Sequence, residues 1–363
     1  MYIVNNSIVL EDLAWIHQSF HKRHLLNGST ILVTGCAGFL GYYFMNYFTS
    51  YAEDLGIERI IGLDNFLVGK PEWLESISFQ SKGKMELYDF DIIDGDLSLI
   101  DGIENANFII HMASVASPTF YRKYPIETLD ANIWGLRRLL DLYRDRELEG
   151  FLMFSSSEVY GDPDPDEIPT SESYLGNVST IGPRACYDEA KRFSETLCYL
   201  YAQKYKMPIT LTRPFNNYGP GMRLDDKRVP ADFAQAVVQG KDIEIFSDGT
   251  PTRTFCYVSD AITGYLKVMT HGEFDIFNIG IDKPEIQIRR LAEIYVEMGN
   301  RVFGYQGEVR FAEPPELDYM THNPNRRCPD ISHAREKLGY SPVVTVENGV
   351  ERFLRFLKEG CDV

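Results

Sequence analysis

The stretch Thr30-Ile-Leu-Val-Thr-Gly-Cys-Ala-Gly-Phe-Leu-Gly41 decides the fold of this chain. An apolar run typical of a buried strand comes first, Gly35, Gly38 and Gly41 follow, and an apolar segment with the pattern of a helix comes next. Glycine gives such a turn a position without a Cβ atom, and it lets a phosphate group approach backbone N–H groups at the helix N-terminus. The stretch therefore predicts a strand, a turn and a helix that together bind a dinucleotide.

The pattern that begins at this stretch repeats along the chain. Strand-like and helix-like segments alternate up to Thr212, and such alternation implies right-handed crossovers and a parallel sheet. The predicted strands are residues 30–34, 59–63, 85–89, 107–111, 151–154 and 208–212, and the predicted helices are residues 38–51, 128–145 and 187–205. The predicted fold class is α/β, a Rossmann doubly wound parallel sheet with a smaller α+β substrate-binding lobe.

Three regions follow from this pattern. Residues 1–28 form an N-terminal extension, in which residues 10–20 have the spacing of a short amphipathic helix that packs on the body of the protein. Residues 29–212 form the dinucleotide-binding domain, with return segments near 249–275. Residues 213–363 form mainly the smaller lobe, with predicted helices at 231–239, 288–298 and 346–358.

The composition excludes several classes of function. Of the 363 residues, 44% are hydrophobic and 25% are charged, as in a folded globular protein. The net charge of −17 repels nucleic acids and anionic membranes, so we expect neither as a partner. The sequence shows no signal-peptide pattern and no stretch apolar enough to cross a bilayer, so we expect neither export nor membrane insertion.

Cysteine and histidine spacing argues against disulfide and metal sites. The six cysteines form no C-x-x-C pair, so we expect free thiols in a reducing cytoplasm. His17, His21 and His24 lie at helical spacing, but no glutamate or cysteine accompanies them at ligand spacing. We therefore expect a solvated helix face and no bound metal.

Asp64 selects the dinucleotide. It follows the second predicted strand, about twenty residues after the glycines, where a carboxylate can accept hydrogen bonds from both adenosine ribose hydroxyls and repels a 2′-phosphate. The sequence therefore favours NAD over NADP. Asp91, after the third strand, is placed either to meet the adenine amino group or to cap a turn. His111-Met-Ala-Ser114 ends the fourth strand with small residues that let a cofactor pass, and the histidine is explained equally well as a core residue.

A candidate catalytic group follows from the spacing of Tyr187 and Lys191. The two residues are four apart at the head of a predicted helix, so their side chains share one face. An ammonium group and a cationic nicotinamide each favour a phenolate, so we expect a lowered pKa of Tyr187 and a role as the base for a sugar hydroxyl. Ser156 follows the fifth strand at the carboxyl edge of the sheet, and we expect it to share the hydrogen bond of that hydroxyl.

The glycine triplet, the serine cluster and the Tyr–Lys pair, in this order, resemble the extended short-chain dehydrogenase/reductase family of NAD-dependent nucleotide-sugar epimerases, dehydratases and decarboxylases. The likeness runs from about Ile31 to Phe356. The segments that most resemble the UDP-glucuronate decarboxylases (UDP-xylose synthases) are Ala116–Pro118, Ser157–Pro163, Gly182–Arg192, Gly249–Tyr257 and Arg327–Asp330.

The resemblance implies roles for individual residues. Tyr187 is the expected base, Lys191 its partner, Ser156 stands where the decarboxylases usually have threonine, and Glu158 matches their glutamate. The expected cofactor contacts are Gly35, Gly38, Phe39, Leu40, Gly41, Asp64, Asn65, Asp91, Ile92, Ala113, Ser114, Asn132, Tyr187, Lys191 and Pro214. The expected contacts to a nucleotide sugar, most simply a UDP-sugar, are Ser117, Asn216, Arg223, Arg228, Val229, Arg253 and Arg327.

The resemblance also implies a reaction. Oxidation at C4 of the sugar would labilise the C6 carboxylate of UDP-glucuronate, so that carbon dioxide leaves and a UDP-pentose forms. The alternatives are a 4-epimerase, a 5,6-dehydratase and a 4,6-dehydratase. Ser157 stands where the 4,6-dehydratases have aspartate, and Glu158 favours decarboxylation over epimerisation. Gly221 and the loop 224–228 depart from the decarboxylase pattern. A non-catalytic NAD-binding regulator is the alternative from another class, and the intact Tyr187 and Lys191 argue against it.

The resemblance finally implies a homodimer. The helix that begins near Tyr187 and the helix that contains Asn132 and Gly135 are expected to pair across a twofold axis. Apolar residues that could serve this face, although core packing explains them equally well, are Leu136, Leu139, Leu140, Leu197 and Leu200.

Overall fold

The centre of the molecule is a parallel sheet of seven strands. The structure, a computed structural model, describes residues 6–313 and 324–361. The strands are β1 (Thr30–Thr34), β2 (Arg59–Asp64), β3 (Met85–Asp89), β4 (Phe108–His111), β5 (Gly150–Phe154), β6 (Ile209–Pro214) and β7 (Asp275–Ile279). Their order is β7-β6-β5-β4-β1-β2-β3. The predicted doubly wound sheet is confirmed, and its order reverses between β1 and β4, where such sheets bind their ligands.

Helices cover both faces of the sheet, which explains why its strands are apolar throughout. In β1, Ile31 and Val33 pack into one core and Leu32 packs into the other, and all three are fully buried. The helices are α1 (Ser7–Ser19), α2 (Phe39–Ser50), α3 (Glu72–Gln80), α4 (Pro118–Lys123), α5 (Pro125–Asp130), α6 (Leu136–Tyr143), α7 (Ala185–Tyr205), α8 (Val229–Gln239), α9 (Val258–Met269), α10 (Ile288–Phe303), α11 (Ser332–Leu338) and α12 (Val346–Cys361).

The helix predicted over 128–145 is present from Pro125 to Tyr143, but it is interrupted by a π-helical turn. α5 and α6 are separated by a π-helical turn, Ala131–Gly135. Inside this turn the Asn132 side chain donates to the carbonyl oxygen of Thr128 at 2.7 Å, so a side chain occupies an acceptor of the preceding turn. Gly135 is required at the same place because a Cβ there would lie 2.6 Å from the Ile92 side chain.

The chain returns to the sheet after it has built much of the smaller lobe. α9 packs against β5 and β6, and β7 then pairs with β6 in parallel register. The sequence pattern did not predict β7, because Asn278 interrupts its apolar run. The buried Asn278 amide is satisfied from outside the strand: its oxygen accepts from the Tyr160 hydroxyl at 2.7 Å and its nitrogen donates to the Thr170 carbonyl at 2.9 Å.

Short strands support the loops of the smaller lobe. Asn217–Tyr218 pairs with Cys256–Tyr257, and Ile243–Ile245 pairs with Val309–Phe311. A further small sheet consists of Thr252–Arg253 flanked by Ile286–Gln287 and Arg326–Arg327. These pairings bring segments that are distant in sequence to the open end of the large sheet.

The described part of the N-terminal extension, residues 6–28, is folded against the body. α1 begins at Ser7, earlier than predicted, because the Asn6 side chain caps it by accepting from the N–H groups of Ile8 and Val9. The apolar side of α1 packs against α9, α12 and α2. At the same junction the buried carboxylate of Asp12 accepts hydrogen bonds from Tyr43, Tyr257 and Arg352, at 2.6, 2.8 and 2.8 Å.

Of the three histidines of the extension, His21 and His24 are exposed, as expected, whereas His17 packs against the body of the protein. The His17 ring stacks on Tyr51 at a centroid distance of 3.9 Å and lies 3.1 Å from a carboxylate oxygen of Asp54. Within residues 6–313 and 324–361, no group of three or more His, Cys, Asp or Glu side chains is arranged to hold a metal ion. No helix in that same part of the chain combines the length and the apolar character needed to cross a membrane.

Candidate active site

A cavity of about 1150 Å³ opens at the carboxyl ends of the central strands and is bounded on its other side by the smaller lobe. Every predicted cofactor, catalytic and substrate residue lines it except Asn132. A cavity for one small ligand usually has a volume of about 300–1,000 Å³. The cavity is therefore large enough for two ligands side by side, one over the glycine turn and one under the smaller lobe.

The glycine turn fits a pyrophosphate group. Gly35 has φ +73°, and a Cβ there would lie 2.8 Å from the backbone nitrogen of Ala113. A Cβ on Gly41 would overlap the Cys36 carbonyl group, so the helix could not pack against the turn. Gly38 is the N-cap of α2, and no side chain in the described part of the chain caps this helix end. The N–H groups of the first turn thus face the cavity, ready for an anion.

Asp64 organises the turn as well as facing the cavity. One of its carboxylate oxygens accepts from the Ala37 N–H at 2.9 Å, and the other accepts from the Phe66 N–H at 2.9 Å. Burial raises the pKa of Asp64, and these two backbone hydrogen bonds oppose the shift. Each oxygen keeps a second lone pair, so the carboxylate can still accept from a ribose hydroxyl.

Asp91 caps a turn, which is one of the two roles predicted for it. One of its carboxylate oxygens accepts from the Ile93 N–H at 2.8 Å, and the other accepts from the Asn65 side chain at 3.0 Å. Asp91 and Asn65 both line the cavity. The pair therefore ties the loop after β2 to the loop after β3 at the cavity wall.

Asn132 does not line the cavity, but it contacts a residue that does. Its side-chain nitrogen donates to the Ser114 hydroxyl at 2.8 Å, and Ser114 lines the cavity. Its backbone oxygen accepts from the Ser194 hydroxyl of α7 at 2.9 Å. Asn132 thus fixes the position of Ser114 relative to the helix that carries Tyr187. His111 is a core residue: it is fully enclosed, and its Nδ1 lies 2.8 Å from the Thr34 hydroxyl.

Tyr187 and Lys191 share one face of α7, as their spacing predicts. The Tyr187 ring stacks on Tyr121 at a centroid distance of 5.3 Å, and Lys191 Nζ lies 5.6 Å from the centroid of the Tyr187 ring. Lys191 Nζ donates to the Phe154 carbonyl oxygen at 2.7 Å, which fixes it against the end of β5. Burial lowers the pKa of Lys191 to about 7.

The pKa of Tyr187 differs from the prediction. Burial raises it to about 12, while a hydrogen bond from Ser156 acts in the opposite direction. The negative charges of Glu158 and Asp188 add to the rise, and Arg228 opposes it. The protein's own groups therefore keep Tyr187 a phenol, because desolvation of the phenolate outweighs the neighbouring cations. A nicotinamide cation bound in the cavity would lower this pKa.

Glu158 is the centre of a buried charged cluster. Its carboxylate accepts from two guanidinium groups, those of Arg327, one bond measuring 2.8 Å, and of Arg184. Burial by itself would raise the pKa of Glu158, but Arg184 and Arg327 outweigh it and hold that pKa well below its usual range. All three residues line the cavity next to Tyr187. We call Glu158, Arg184 and Arg327 the arginine–glutamate cluster.

Sequence reasoning missed Arg184 as a site residue. It lies directly before α7, three residues ahead of Tyr187, and Asp188 follows one turn later with its carboxylate 3.5 Å from Arg184 Nε. The available signal was the Arg–Asp spacing of four residues at the head of the catalytic helix. This spacing alone does not identify Arg184 as a site residue, because the cluster also requires Arg327, which lies 169 residues from Glu158 in the sequence.

The predicted substrate contacts lie around the opposite half of the cavity, and several also hold the loops in place. The Ser117 hydroxyl donates to the Asp226 carbonyl at 2.6 Å, and Arg228 forms an ion pair with the Asp226 carboxylate. Arg223 donates to the Val68 carbonyl at 2.5 Å, which joins the substrate loop to the loop after β2. Val229 begins α8 and lines the cavity beside them.

Arg253 and Asn216 hold backbone from the smaller lobe. Arg253 donates to the carbonyl oxygens of Thr252 and Asn325, at 2.8 and 3.0 Å. Burial, followed by the positive charge of Arg327, lowers its pKa to about 9. Asn216 has φ +43° and donates to the Thr254 carbonyl at 2.9 Å. Both side chains line the cavity.

Comparison with known proteins agrees with this geometry. The family model described as "NAD dependent epimerase/dehydratase family" matches residues 31–280. UDP-glucuronic acid decarboxylase 1 of Arabidopsis thaliana is 35% identical over 324 residues, which are 89% of this chain and 68% of that protein. UDP-glucose 4-epimerase of Thermotoga maritima, solved with UDP-glucose, superposes with a TM-score of 0.77 at 26% identity, covering 92% of this chain and 99% of the other.

A third relative carries the cofactor. A variant of UDP-glucuronic acid 4-epimerase from Bacillus cereus, solved with UDP-4-deoxy-4-fluoro-glucuronic acid and NAD, superposes with a TM-score of 0.73 at 26% identity, covering 91% of this chain and 99% of that one. The glycine turn, the open N-terminus of α2 and Asp64 are the features that such a cofactor requires. The chain therefore belongs to the NAD dependent epimerase/dehydratase family, and it is an enzyme whose cofactor is NAD.

Proposed function

We propose that the enzyme converts UDP-glucuronate to a UDP-pentose, with loss of the sugar carboxylate as carbon dioxide. The observation that carries the proposal is the arginine–glutamate cluster beside Tyr187. Two guanidinium groups line the cavity there beside one carboxylate, that of Glu158, whereas Asp188, the second carboxylate near Arg184, lies behind the wall. A sugar that carries its own carboxylate matches the positive groups on this open side of the cluster.

Arg253 supports the same reading. Its pKa is lowered by the charges of Arg327 and Arg184 after burial, which places a third cation near the arginine–glutamate cluster. A glucuronate would receive charge-assisted hydrogen bonds from these cations.

The side chains around C4 of the sugar have distinct tasks. NAD, when bound, accepts a hydride from the sugar and returns it. Tyr187 is positioned as the base that takes the proton of the sugar 4-hydroxyl, and Ser156 hydrogen-bonds to the Tyr187 phenol and orients it. The hydrogen bond to the Phe154 carbonyl holds Lys191 Nζ beside the Tyr187 ring. There the amine can carry a positive charge or donate a hydrogen bond.

Glu158 has an electrostatic task in this proposal. Because it stays ionised between Arg184 and Arg327, it is unsuited to donating a proton. It instead fixes both guanidinium groups at the place where the sugar carboxylate binds. Once C4 is a ketone, the carboxylate is β to a carbonyl group, and carbon dioxide can leave while the electron pair is held as an enolate. Protonation of that enolate and reduction at C4 give the pentose.

The relatives favour this reaction over the others. The named relative at 35% identity is a UDP-glucuronic acid decarboxylase. The similar structure from Bacillus cereus is a UDP-glucuronic acid 4-epimerase and contains a glucuronate analogue. Both reactions begin from the same sugar acid, so both relatives support an anionic substrate, and 4-epimerisation is the second candidate.

The decisive experiment uses UDP-glucuronate labelled with ¹³C in its carboxyl group. We expect labelled carbon dioxide in the trapped gas, a UDP-pentose in the mass spectrum of the nucleotide product, and no net NADH. Tyr187→Phe is the control and should release no gas. A product of unchanged mass with inverted C4 would instead establish the epimerase, and a product that has lost water would establish a dehydratase.

We also propose that the enzyme works as a homodimer in the cytoplasm. Four large apolar side chains of the α5–α6 region and the neighbouring α7 are exposed, namely Ile126, Trp134, Phe193 and Leu200. Such a set on adjacent helices is typical of a contact between subunits. The five cysteines whose side chains the structure describes are free thiols, in keeping with a reducing compartment.

A further inference from the structure

Asp188 extends the arginine–glutamate cluster by one group. Its carboxylate lies 3.5 Å from Nε of Arg184, and the two side chains are only 9% and 15% exposed. Arg184 contacts Glu158, and Glu158 contacts Arg327. The four groups therefore form a buried row of alternating charge, in which Arg184 lies between two carboxylates. Arg184 lines the cavity, whereas Asp188 lies behind it.

The carboxylate of Asp188 has fewer stabilising contacts than the carboxylate of Glu158. Its Oδ1 is buried and has no hydrogen-bond partner among the described residues. A buried acceptor without a partner is costly, more so when it is charged. Burial and the charge of Glu158 raise the pKa of Asp188 to about 7, against the opposing effect of Arg184.

We infer that Asp188 is a positioning residue that takes up a proton from solvent when an anionic sugar binds beside Arg184 and Arg327. The identity of that sugar rests on the proposed function. Before binding, the carboxylates of Asp188 and Glu158 balance the two guanidinium groups. A bound sugar carboxylate adds a third negative charge to the row. Protonation of Asp188 restores the balance, and it releases Arg184 to pair with the sugar.

The other groups that face Asp188 do not change their charge at neutral pH. Tyr121 of α4 and Cys186 of α7 both have pKa values raised by burial, so both remain neutral. Glu158 remains ionised between its two arginines. Asp188 is thus the group of this row that can gain a proton near pH 7.

Calorimetry of sugar binding tests the inference. In a Tyr187→Phe background, which blocks turnover, UDP-glucuronate is titrated in two buffers of different ionisation enthalpy. At about pH 8, where Asp188 of the free enzyme is mostly ionised, we expect uptake approaching one proton per bound UDP-glucuronate, and we expect a Kd that rises up to about tenfold per pH unit above about pH 7. UDP-glucose should show neither effect. Lys191, which also titrates near this pH, would respond to both sugars alike, so their difference isolates the sugar carboxylate.

Two substitutions added to that background assign the proton. Asp188→Asn mimics the protonated carboxyl group, so it should abolish the proton uptake and make the Kd of UDP-glucuronate independent of pH. Glu189→Gln is the matched control: Glu189 is the next residue, lies on the open side of α7 and pairs with Arg192. It should leave both effects unchanged.

The outcomes separate this inference from the proposed function. Proton uptake on binding without any decarboxylation by the wild-type enzyme would contradict the proposed function alone. Decarboxylation with no proton uptake, or uptake that persists in Asp188→Asn, would overturn the inference about Asp188 alone. If Asp188→Asn does not fold, the number of protons that the Tyr187→Phe variant takes up on binding UDP-glucuronate still tests the inference, because that variant retains Asp188. A protein that binds no UDP-glucuronate would overturn both.

Discussion

Tyr187 lines the cavity, and the proposed mechanism gives its hydroxyl the role of the base. We predict that Tyr187→Phe lowers kcat by at least about 10²–10⁴-fold, because the variant loses proton transfer to and from the sugar hydroxyl. NAD binding should stay nearly unchanged, since Phe keeps the stacking on Tyr121. Steady-state kinetics with the natural nucleotide sugar and calorimetric titration with NAD measure the two effects. Wild-type kcat in this variant would remove Tyr187 from the mechanism.

Asp64 combines a structural and a ligand-binding role, and two substitutions separate them. We predict that Asp64→Ala weakens NAD binding and reduces the preference for NAD over NADP, because it removes the acceptor for the ribose and for the Ala37 and Phe66 N–H groups. Asp64→Asn loses the charge and one of the two oxygen acceptors, so it should reduce the discrimination against NADP while it weakens NAD binding less than Asp64→Ala does. Titrations of each variant with both cofactors test this. Unchanged affinities for both would contradict it.

His111 makes stability depend on pH. Burial, aided by the charge of Lys191, lowers its pKa to about 3, whereas an unfolded histidine titrates near its ordinary value of 6.5. As the pH falls below 6.5, only the unfolded chain gains the proton at this residue. The contribution of His111 to stability is therefore complete above that pH and is lost progressively toward pH 3, by up to about 1.4 kcal/mol per pH unit.

Urea unfolding at several pH values measures this loss. We predict that His111→Gln loses less stability between about pH 6.5 and pH 5 than the wild type does, whatever its stability at neutral pH. His24→Gln is the control, because His24 is exposed in the folded protein and its removal should leave the slope unchanged. Equal slopes in the wild type and His111→Gln would contradict the assignment.

Helix α1 joins three other elements through one side chain. Asp12 accepts from Tyr43 of α2, from Tyr257 directly before α9 and from Arg352 of α12. We predict that Asp12→Ala lowers the free energy of unfolding by about 2–5 kcal/mol, because it leaves the buried phenols of Tyr43 and Tyr257 without their acceptor and removes one of the two carboxylates that pair with Arg352. Glu11 pairs with the same arginine at 2.9 Å but is exposed, so Glu11→Ala should cost less than about 1 kcal/mol. Similar losses in both variants would refute this role of Asp12.

Elements whose form is set by local sequence were predictable, and elements set by tertiary contacts were not. The glycine turn, β1 and the Tyr187–Lys191 face of α7 follow from spacing within a few residues. The π-helical turn at Asn132 depends on contacts with Ser114 and Ser194, which come from other parts of the chain. β7 pairs with β6 although its polar Asn278 must be satisfied by two distant loops, so periodicity alone could not reveal it.

At the scale of the whole molecule, most of the residues predicted for the dimer face are instead buried in the core of the subunit. Leu136, Leu139, Leu140 and Leu197 belong to the core, and Leu200 is exposed. The outward positions are taken instead by Ile126, Trp134 and Phe193. Helical spacing alone identifies an apolar face, but it does not say whether the sheet or a second subunit covers that face.

Light scattering at micromolar concentration tests the proposed homodimer. We predict the mass of two chains for the wild type and of one chain for Trp134→Glu combined with Phe193→Glu, since a charge on each side chain would be buried without a partner at the interface. Phe79→Glu is the control: Phe79 is 90% exposed on α3, away from these helices, and its substitution should leave the dimer intact. A monomeric wild type would defeat the proposal.

The contrast between features set by local sequence and features set by tertiary contacts also applies to the site. The glycine turn of the cofactor site could be predicted because it belongs to a contiguous strand–turn–helix unit. Glu158 and Arg327 were each expected at the site, but their pairing could not be predicted, because Arg327 reaches Glu158 only through the small sheet formed by Thr252–Arg253 and Arg326–Arg327. The alternating charges of this row come together only in the folded chain, so the order of the residues in the sequence does not reveal them.

The late position of β7 in the chain has a consequence during synthesis. A nascent chain that has just left the ribosome as far as Pro214 contains six of the seven strands, and the outer edge of β6 is still bare. The strand that covers this edge ends at Ile279, so the whole intervening segment must be translated first. An uncovered strand edge recruits other strands. Early chains are therefore expected to need protection by a chaperone until β7 has emerged.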